Sequence, residues 1–412
     1  MGRWRERWPA GLMIGCAHCN PAPVTGRRAR YTRRMHRNDS VAALGGRSAA
    51  AFLRRHWHKR AALIRAARPG FRGWLSQRDL VRLACRDDVE ARLVVREGRS
   101  WSLAHGPFRR IDFRGLPARD WTLLVQGVNL VDAAGDALLR EFGFLPYARL
   151  DDLMVSYAAP GGGVGPHRDS YDVFLLQGFG RRRWRYGRQR DFTLKPGLPL
   201  KILARFSPTH DVVLDPGDML YLPPSIAHDG VAVDRCTTYS IGFRAASFTE
   251  FAQAFLDHLR DDIEIPGRYA DPDLRPTPHP ALIEPRMQRR IAGKLARLRV
   301  HPASVRRFLG CFLTEPKPHV TFERKRAMPA ARFAQLIAAR GLRLDRRAQL
   351  LYDAKSFYLN GEHFAHPRRG ARSMARLADE RRLAARECAQ LPAEAIRLLH
   401  DAYGHGFLEL DA

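Results

Sequence analysis

The sequence has no run of apolar residues long enough to span a bilayer, which argues against a helical membrane protein. Cysteine is scarce, six in 412 residues. Cys16, Cys19, Cys85, Cys236, Cys311 and Cys388 are scattered apart from the first two, which argues against a disulfide framework and suits a reducing, cytoplasmic setting. Cys16 and Cys19 form a lone Cys-x-x-Cys that, even with His18, supplies half a zinc site at most. Negative charge is also in short supply. Asp and Glu number 42 against 70 Lys and Arg, a formal net charge of +28. Such a surface attracts polyanions, RNA among them, although a GC-rich codon bias toward Arg also contributes. With no internal repeat and 45% hydrophobic residues, the chain has material for a sizeable core in two to three domains.

Residues 1–46 read as a disordered basic arm. Nine arginines face only Glu6 and Asp39, with no apolar periodicity to offset the ordering entropy. Pro9 and the short stretch Ala10 to Gly15 argue against a secretory leader. From about 47 the pattern becomes globular, with helix at Ala49–Leu53, strand at Ala61–Ile64 and helix at Ser76–Ala84. Strand-like runs at Ala91–Val95 and Trp121–Val125 precede a helix near 130–142. Between 150 and 245, short strands alternate with Gly- and Pro-bearing turns: Leu153–Ala158, Tyr171–Gln177, Arg181–Tyr186, Asp211–Leu214, Met219–Leu222 and Thr238–Arg244. This rhythm predicts an all-β barrel or jelly roll. Helical spacing returns at Phe248–Leu259 and Pro285–Leu298. Further on, Asn360-Gly361 between two apolar-containing runs predicts a hairpin, and helices followed by a small hairpin resemble a winged helix.

The chemistry-bearing stretch is Pro160-Gly161-Gly162-Gly163-Val164-Gly165-Pro166-His167-Arg168-Asp169. A strand ends, a glycine turn follows, and His167 and Asp169 then stand two residues apart on extended chain, pointing to one side. About sixty residues on, Asp215-Pro216-Gly217-Asp218 turns into the strand Met219–Leu222, and Pro223-Pro224 opens what reads as a loop delivering His228. Two histidines and one carboxylate on one face of a metal leave three positions open, the facial triad of non-haem Fe(II) oxygenases. In Gly180-Arg181-Arg182-Arg183-Trp184-Arg185-Tyr186, alternation puts Arg182 and Trp184 on one face and Arg181, Arg183 and Arg185 on the other. Arg182 suits the far carboxylate of a dicarboxylate co-substrate, while Arg181 and Arg183 fit a solvated or RNA-facing surface. Ser156, Thr238 and Ser240 are hydroxyls that either assist the co-substrate or are satisfied within the core.

Met154–Tyr186, Leu220–His228 and Tyr239–Ala245 resemble the bacterial branch of the JmjC ribosomal oxygenases, as do Trp57-His58-Lys59-Arg60 and Tyr269–Asp273. The resemblance spans roughly 47–405. It implies an α+β fold: a double-stranded β-helix (jelly-roll, cupin/JmjC) core at 47–246, a helical dimerisation region at 247–300, and a winged-helix-like C-terminal domain at 301–412. It also implies Fe(II) on His167, Asp169 and His228, with 2-oxoglutarate as co-substrate held by Arg182 and assisted by Ser240, and O2 as oxidant. The implied reaction is hydroxylation of a side chain, an arginine at its β-carbon, in protein sixteen of the large ribosomal subunit. The implied assembly is a homodimer, and contact with ribosomal RNA would suit the basic surface.

One tension is electrostatic: a cationic enzyme repels a basic substrate unless its pocket is locally acidic, and Asp151, Asp152 and Asp172 are candidates for that role. Three readings compete with the hydroxylase. A protein demethylase would remove methyl carbon rather than add oxygen. A non-enzymatic RNA-binding assembly factor would have no use for four intact site groups. A winged-helix regulator would show DNA retention that survives high salt.

Overall fold

Two antiparallel sheets carry the centre of the chain. The computed structural model describes residues 40–411 apart from 261, 262, 299 and 368; most of the stretch read as a basic arm, with Cys16 and Cys19, lies outside the described residues. The strands that build the two sheets are β1 (Ala62–Ile64), β2 (Ala91–Glu97), β3 (Ser100–His105), β4 (Trp121–Val125), β5 (Leu150–Ala158), β6 (His167–Arg168), β7 (Val173–Gln177), β8 (Arg182–Arg188), β9 (His210–Leu214), β10 (Met219–Leu222), β11 (Ile226–Ala232) and β12 (Cys236–Phe243). The larger sheet runs β1-β10-β7-β12-β5-β4-β2-β3 and the smaller β9-β8-β11-β6. Face to face, they form the jelly roll that the strand rhythm predicts.

The central strands of the larger sheet are buried on both faces, and β4, β7 and β10 accordingly read as nearly unbroken apolar runs. Phe174, Leu176, Tyr221, Tyr239, Ile241 and Phe243 point outward into a core shared with the N-terminal helices Ala49–Arg55 and Gln77–Ala84. Val173, Leu175, Leu220 and Leu222 point inward and meet Trp184, Tyr186, Leu214 and Ile226 of the smaller sheet. Leu44 is fully buried in the outer core although it falls in the stretch read as a basic arm. A Ser40–Val41/Arg47–Ser48 pairing folds that turn back onto Ile64 and Ala67, so ordered chain begins before 47.

The other difference from the sequence reading concerns His228. It lies on a strand, β11, and not on a loop. Asp229-Gly230 looks like a turn, but β8 neutralises the first and needs the second. Asp229 points outward to Arg185 at 2.5 Å. A Cβ at Gly230 would sit 2.6 Å from the Trp184 ring.

The C-terminal region has its own core around Phe333, Ile337, Leu377 and Leu399. It combines helices Ala330–Arg340, Ala371–Glu380 and Ala393–Gly404 with two three-stranded sheets. The predicted hairpin is present as Ser356–Leu359 and Glu362–Ala365, turned by Asn360 (φ 49°) and Gly361 (φ 89°) as a type I′ turn requires. Helix Pro302–Thr314 and the segment after it join this region to the jelly roll. Lys317 reaches Asp151 at 3.1 Å and Asp152 at 3.9 Å. Burial alone would pull the Lys317 pKa down, but the two carboxylates more than offset it and hold the ammonium above its ordinary value. Between these regions, helices Phe248–Arg260 and Pro285–Leu295 bury no residue.

Candidate metal and co-substrate site

The site is assembled from the smaller sheet and the glycine turn leading into it. Gly161 donates to Ala232 O at 2.8 Å and Ala232 donates to Gly162 O at 2.9 Å, tying the turn to β11. The backbone approach is so close that a Cβ on Gly162 would lie 2.1 Å from Trp121 O. The turn then enters β6, where His167 pairs directly with His228 of β11.

His167, Asp169 and His228 bring one ligand atom each within 4.8 Å of one another. Among the described residues they are the one group of three or more His, Cys, Asp or Glu side chains so arranged. His228 Nε2 stands 3.5 Å and His167 Nε2 3.8 Å from the Asp169 carboxylate. Each imidazole turns its Nδ1 to a backbone carbonyl, His167 to Gly165 O at 2.9 Å and His228 to Ile226 O at 3.0 Å. A carbonyl only accepts, so Nδ1 carries the proton and both Nε2 lone pairs face the shared centre. Burial first, and the neighbouring His167 second, depress the His228 pKa to about 4. It is therefore neutral, as a metal ligand must be, at physiological pH.

Arg182 lies on β8, facing inward, four residues from Tyr186, which pairs with His228. That is roughly 13 Å along a strand, a gap that an arginine side chain and a short diacid fill together. The side chain is buried, at 6% exposure. Its Nε and Nη2 have no hydrogen-bond partner, and its guanidinium lies 5.8 Å from the centre of the Trp184 ring. A buried cation with free donors is strongly unfavourable unless an anion completes it. Ser156, Thr238 and Ser240 all face the same interior from β5 and β12. Thr238 donates to Gln177 Oε1 at 3.3 Å and so belongs to the core. Ser240 is buried opposite Met154.

The three candidate acidic residues separate. Asp172 is turned away, toward Tyr221 on the outer side of the larger sheet. Asp152 stays on the interior side, where its carboxylate approaches Gly242, and Asp151 pairs with Lys317 and Arg244. Tyr171 is a residue the sequence reading passed over. Burial, then the carboxylates of Asp169 and Asp152, push its phenol pKa upward. Its signal was its place two residues beyond Asp169, in the bend that leads into β7. Outside, Arg181, Arg183 and Arg185 are matched by Asp234, Asp211 and Asp229, so none of the three offers an unpaired charge to RNA.

A jelly roll that gathers two histidines and a carboxylate beside a buried, unpaired arginine defines a metal-dependent oxygenase of the cupin class. Comparison with known proteins narrows this. A family profile described as JmjC domain matches residues 137–251, and one described as ROXA-like winged helix matches 297–409. The ribosomal protein uL16 3-hydroxylase of Escherichia coli (strain K12) is 35% identical over 332 residues, 78% of this chain and 86% of its own length. A probable ribosomal oxygenase of Haemophilus influenzae is 39% identical over 227 residues, 54% of each chain. The solved structure of YcfD, a ribosomal oxygenase from Escherichia coli, in complex with cobalt and 2-oxoglutarate, superposes with a TM-score of 0.73 at 31% identity, covering 88% of this chain and 98% of that one. The chain belongs to the bacterial JmjC ribosomal oxygenases. Among the described residues, no helix is long and apolar enough to cross a membrane.

Proposed function

We propose that this protein is an Fe(II)- and 2-oxoglutarate-dependent dioxygenase that hydroxylates ribosomal protein uL16, on the β-carbon of an arginine, in the cytoplasm. The observation that carries the reading is the unpaired guanidinium of Arg182 on the inner face that also holds His167, Asp169 and His228. The donor set suits Fe(II), with two neutral imidazoles and one carboxylate leaving coordination sites open. When bound, the iron supplies O2 activation coupled to oxidative decarboxylation of 2-oxoglutarate.

The chain's own residues do the rest. His167, Asp169 and His228 fix the metal. Arg182 takes the distal carboxylate of the co-substrate through its free Nε and Nη2, and Ser240, buried on the inner face, assists as a hydroxyl donor. The apolar interior from Val173, Leu175, Leu220 and Leu222 keeps water from the reacting atoms. The region 247–300 serves dimerisation. Its helices leave Phe248 at 92% and Leu256 at 65% exposure, an apolar surface that a second copy would cover. The 301–412 region then shapes the substrate surface rather than reading DNA.

The test uses protein loaded anaerobically with Fe(II), then given 2-oxoglutarate, O2 and a peptide series from uL16, with masses read out. The expected result is a gain of one oxygen on a single arginine that is absent in His228→Ala. Loss of methyl carbon from a methylated peptide would replace the reading with a demethylase. Neither succinate nor product from iron-loaded protein would leave a non-enzymatic assembly factor.

A further inference from the structure

A second buried polar cluster lies behind the metal ligands, and the reaction as described makes no use of it. Asp172 comes three residues after Asp169, at the entry to β7, and is fully buried. Tyr221 of β10, also fully buried, donates its hydroxyl to Asp172 Oδ1 at 2.5 Å. The same hydroxyl accepts the backbone N–H of His58 at 2.9 Å. His58 Nε2 stands 3.3 Å from Asp172 Oδ2, and Arg149 Nη2 lies 3.3 Å from the same imidazole nitrogen and 3.8 Å from the carboxylate.

Two features show that this cluster sets a geometry rather than merely filling space. A buried carboxylate carries a large desolvation penalty that an apolar residue of similar size would avoid, and what Asp172 offers in return is a set of directed contacts to Tyr221, His58 and Arg149. The backbone is also held in unfavourable conformations on both sides of the ligand loop. His58 has φ 57° and Ser225 has φ 74°, values that non-glycine residues adopt only when their surroundings impose them. Ser225 N–H points at Asp169 O at 3.4 Å, and Phe243 N–H donates to Asp172 O at 3.2 Å. The loop 169–172 is thus gripped at both ends.

We infer that Asp172, Tyr221 and His58 are positioning residues that fix the loop 169–172 and thereby aim the Asp169 carboxylate at the metal. The inference rests on the reading of Asp169 as a ligand. Arg149 Nε also donates to Arg244 O at 3.0 Å, and Arg244 donates to Leu313 O of helix Pro302–Thr314 at 3.0 Å, so the cluster has a backing that extends to the C-terminal region.

The test is Co(II) titration of the full-length protein, which needs no turnover, read by the visible absorption band and the Kd. Tyr221→Phe, Asp172→Asn and His58→Gln are each expected to weaken Co(II) binding about tenfold, the lower end of what outer-shell changes do, and to shift the band. The Tyr221→Phe/Asp172→Asn double variant should lose little more than either single. With Fe(II) and 2-oxoglutarate, the variants should form more succinate per hydroxylated peptide than the parent. Co(II) affinity and band within twofold of the parent in all three variants would overturn the inference, whatever happens to Tm. Should Asp172→Asn fail to fold, the two others decide, since His58 is at the edge of the cluster and Tyr221→Phe removes one oxygen. A parent protein that binds Co(II) but makes no succinate overturns the proposed reaction alone, and the affinities still judge the cluster. A parent that binds no Co(II) overturns both.

Discussion

The inner and outer faces of the four-stranded sheet carry the same residue type to opposite ends. β8 reads Arg182-Arg183-Trp184-Arg185, and alternation along the strand turns Arg182 inward and Arg183 and Arg185 outward. Inside, Arg182 is buried with two free nitrogens. Outside, Arg183 meets Asp211 at 2.5 Å and Arg185 meets Asp229 at 2.5 Å, each already neutralised by its neighbour. Composition counts these arginines equally, yet only the one without a protein partner is available to a ligand. An incomplete ion pair, rather than a high density of charge, is the mark of function here.

Arg182→Leu should have the largest effect on this contrast. It removes two charge-assisted hydrogen bonds to the co-substrate carboxylate, and KM for 2-oxoglutarate should rise about 10²- to 10³-fold. Initial rates against 2-oxoglutarate concentration check it. A KM within threefold of the parent would mean that the unpaired guanidinium serves something else. Next comes Arg185→Met. Asp229 keeps only 4% of its side-chain exposure and would be left without its cation. Breaking a fully buried pair costs about 3–5 kcal/mol, but Arg185 is itself half-exposed, so about 2 kcal/mol is expected. Chemical denaturation measures it, and KM for 2-oxoglutarate should stay put.

How far these faces could be read from sequence follows from what each signal reports. Alternation along Arg181–Tyr186 placed Arg182 inward, because strand geometry fixes the period. His167 and Asp169 were legible together because two residues of extended chain keep them on one side. His228 was legible as a member of the His167–Asp169 cluster but not as a strand residue: Asp229-Gly230 carries turn chemistry, and only the facing Arg185 and Trp184 explain it. The orientation of Asp172 was not legible either. Its partners, His58 and Tyr221, lie 114 positions before and 49 after it, and no local pattern links such distances. For the same reason Leu44 read as part of an arm: a short turn with one apolar anchor has no period to detect.

The smallest effect belongs to Arg183→Ala, and it bears on the net charge of +28. The arginine and its partner Asp211 are both well exposed, and such pairs are worth little. Tm should move by no more than about 1 °C. More telling is the binding of single-stranded RNA as salt is varied. Removing a cation that touches one phosphate reduces the slope of log affinity against log salt by about 0.7 for a single strand. Arg183 is already matched by Asp211, so the slope should not change. A slope that does fall would show that the outer face gives up its internal pair to bind phosphate. The two faces of the sheet would then both be ligand surfaces, separated only by what each one binds.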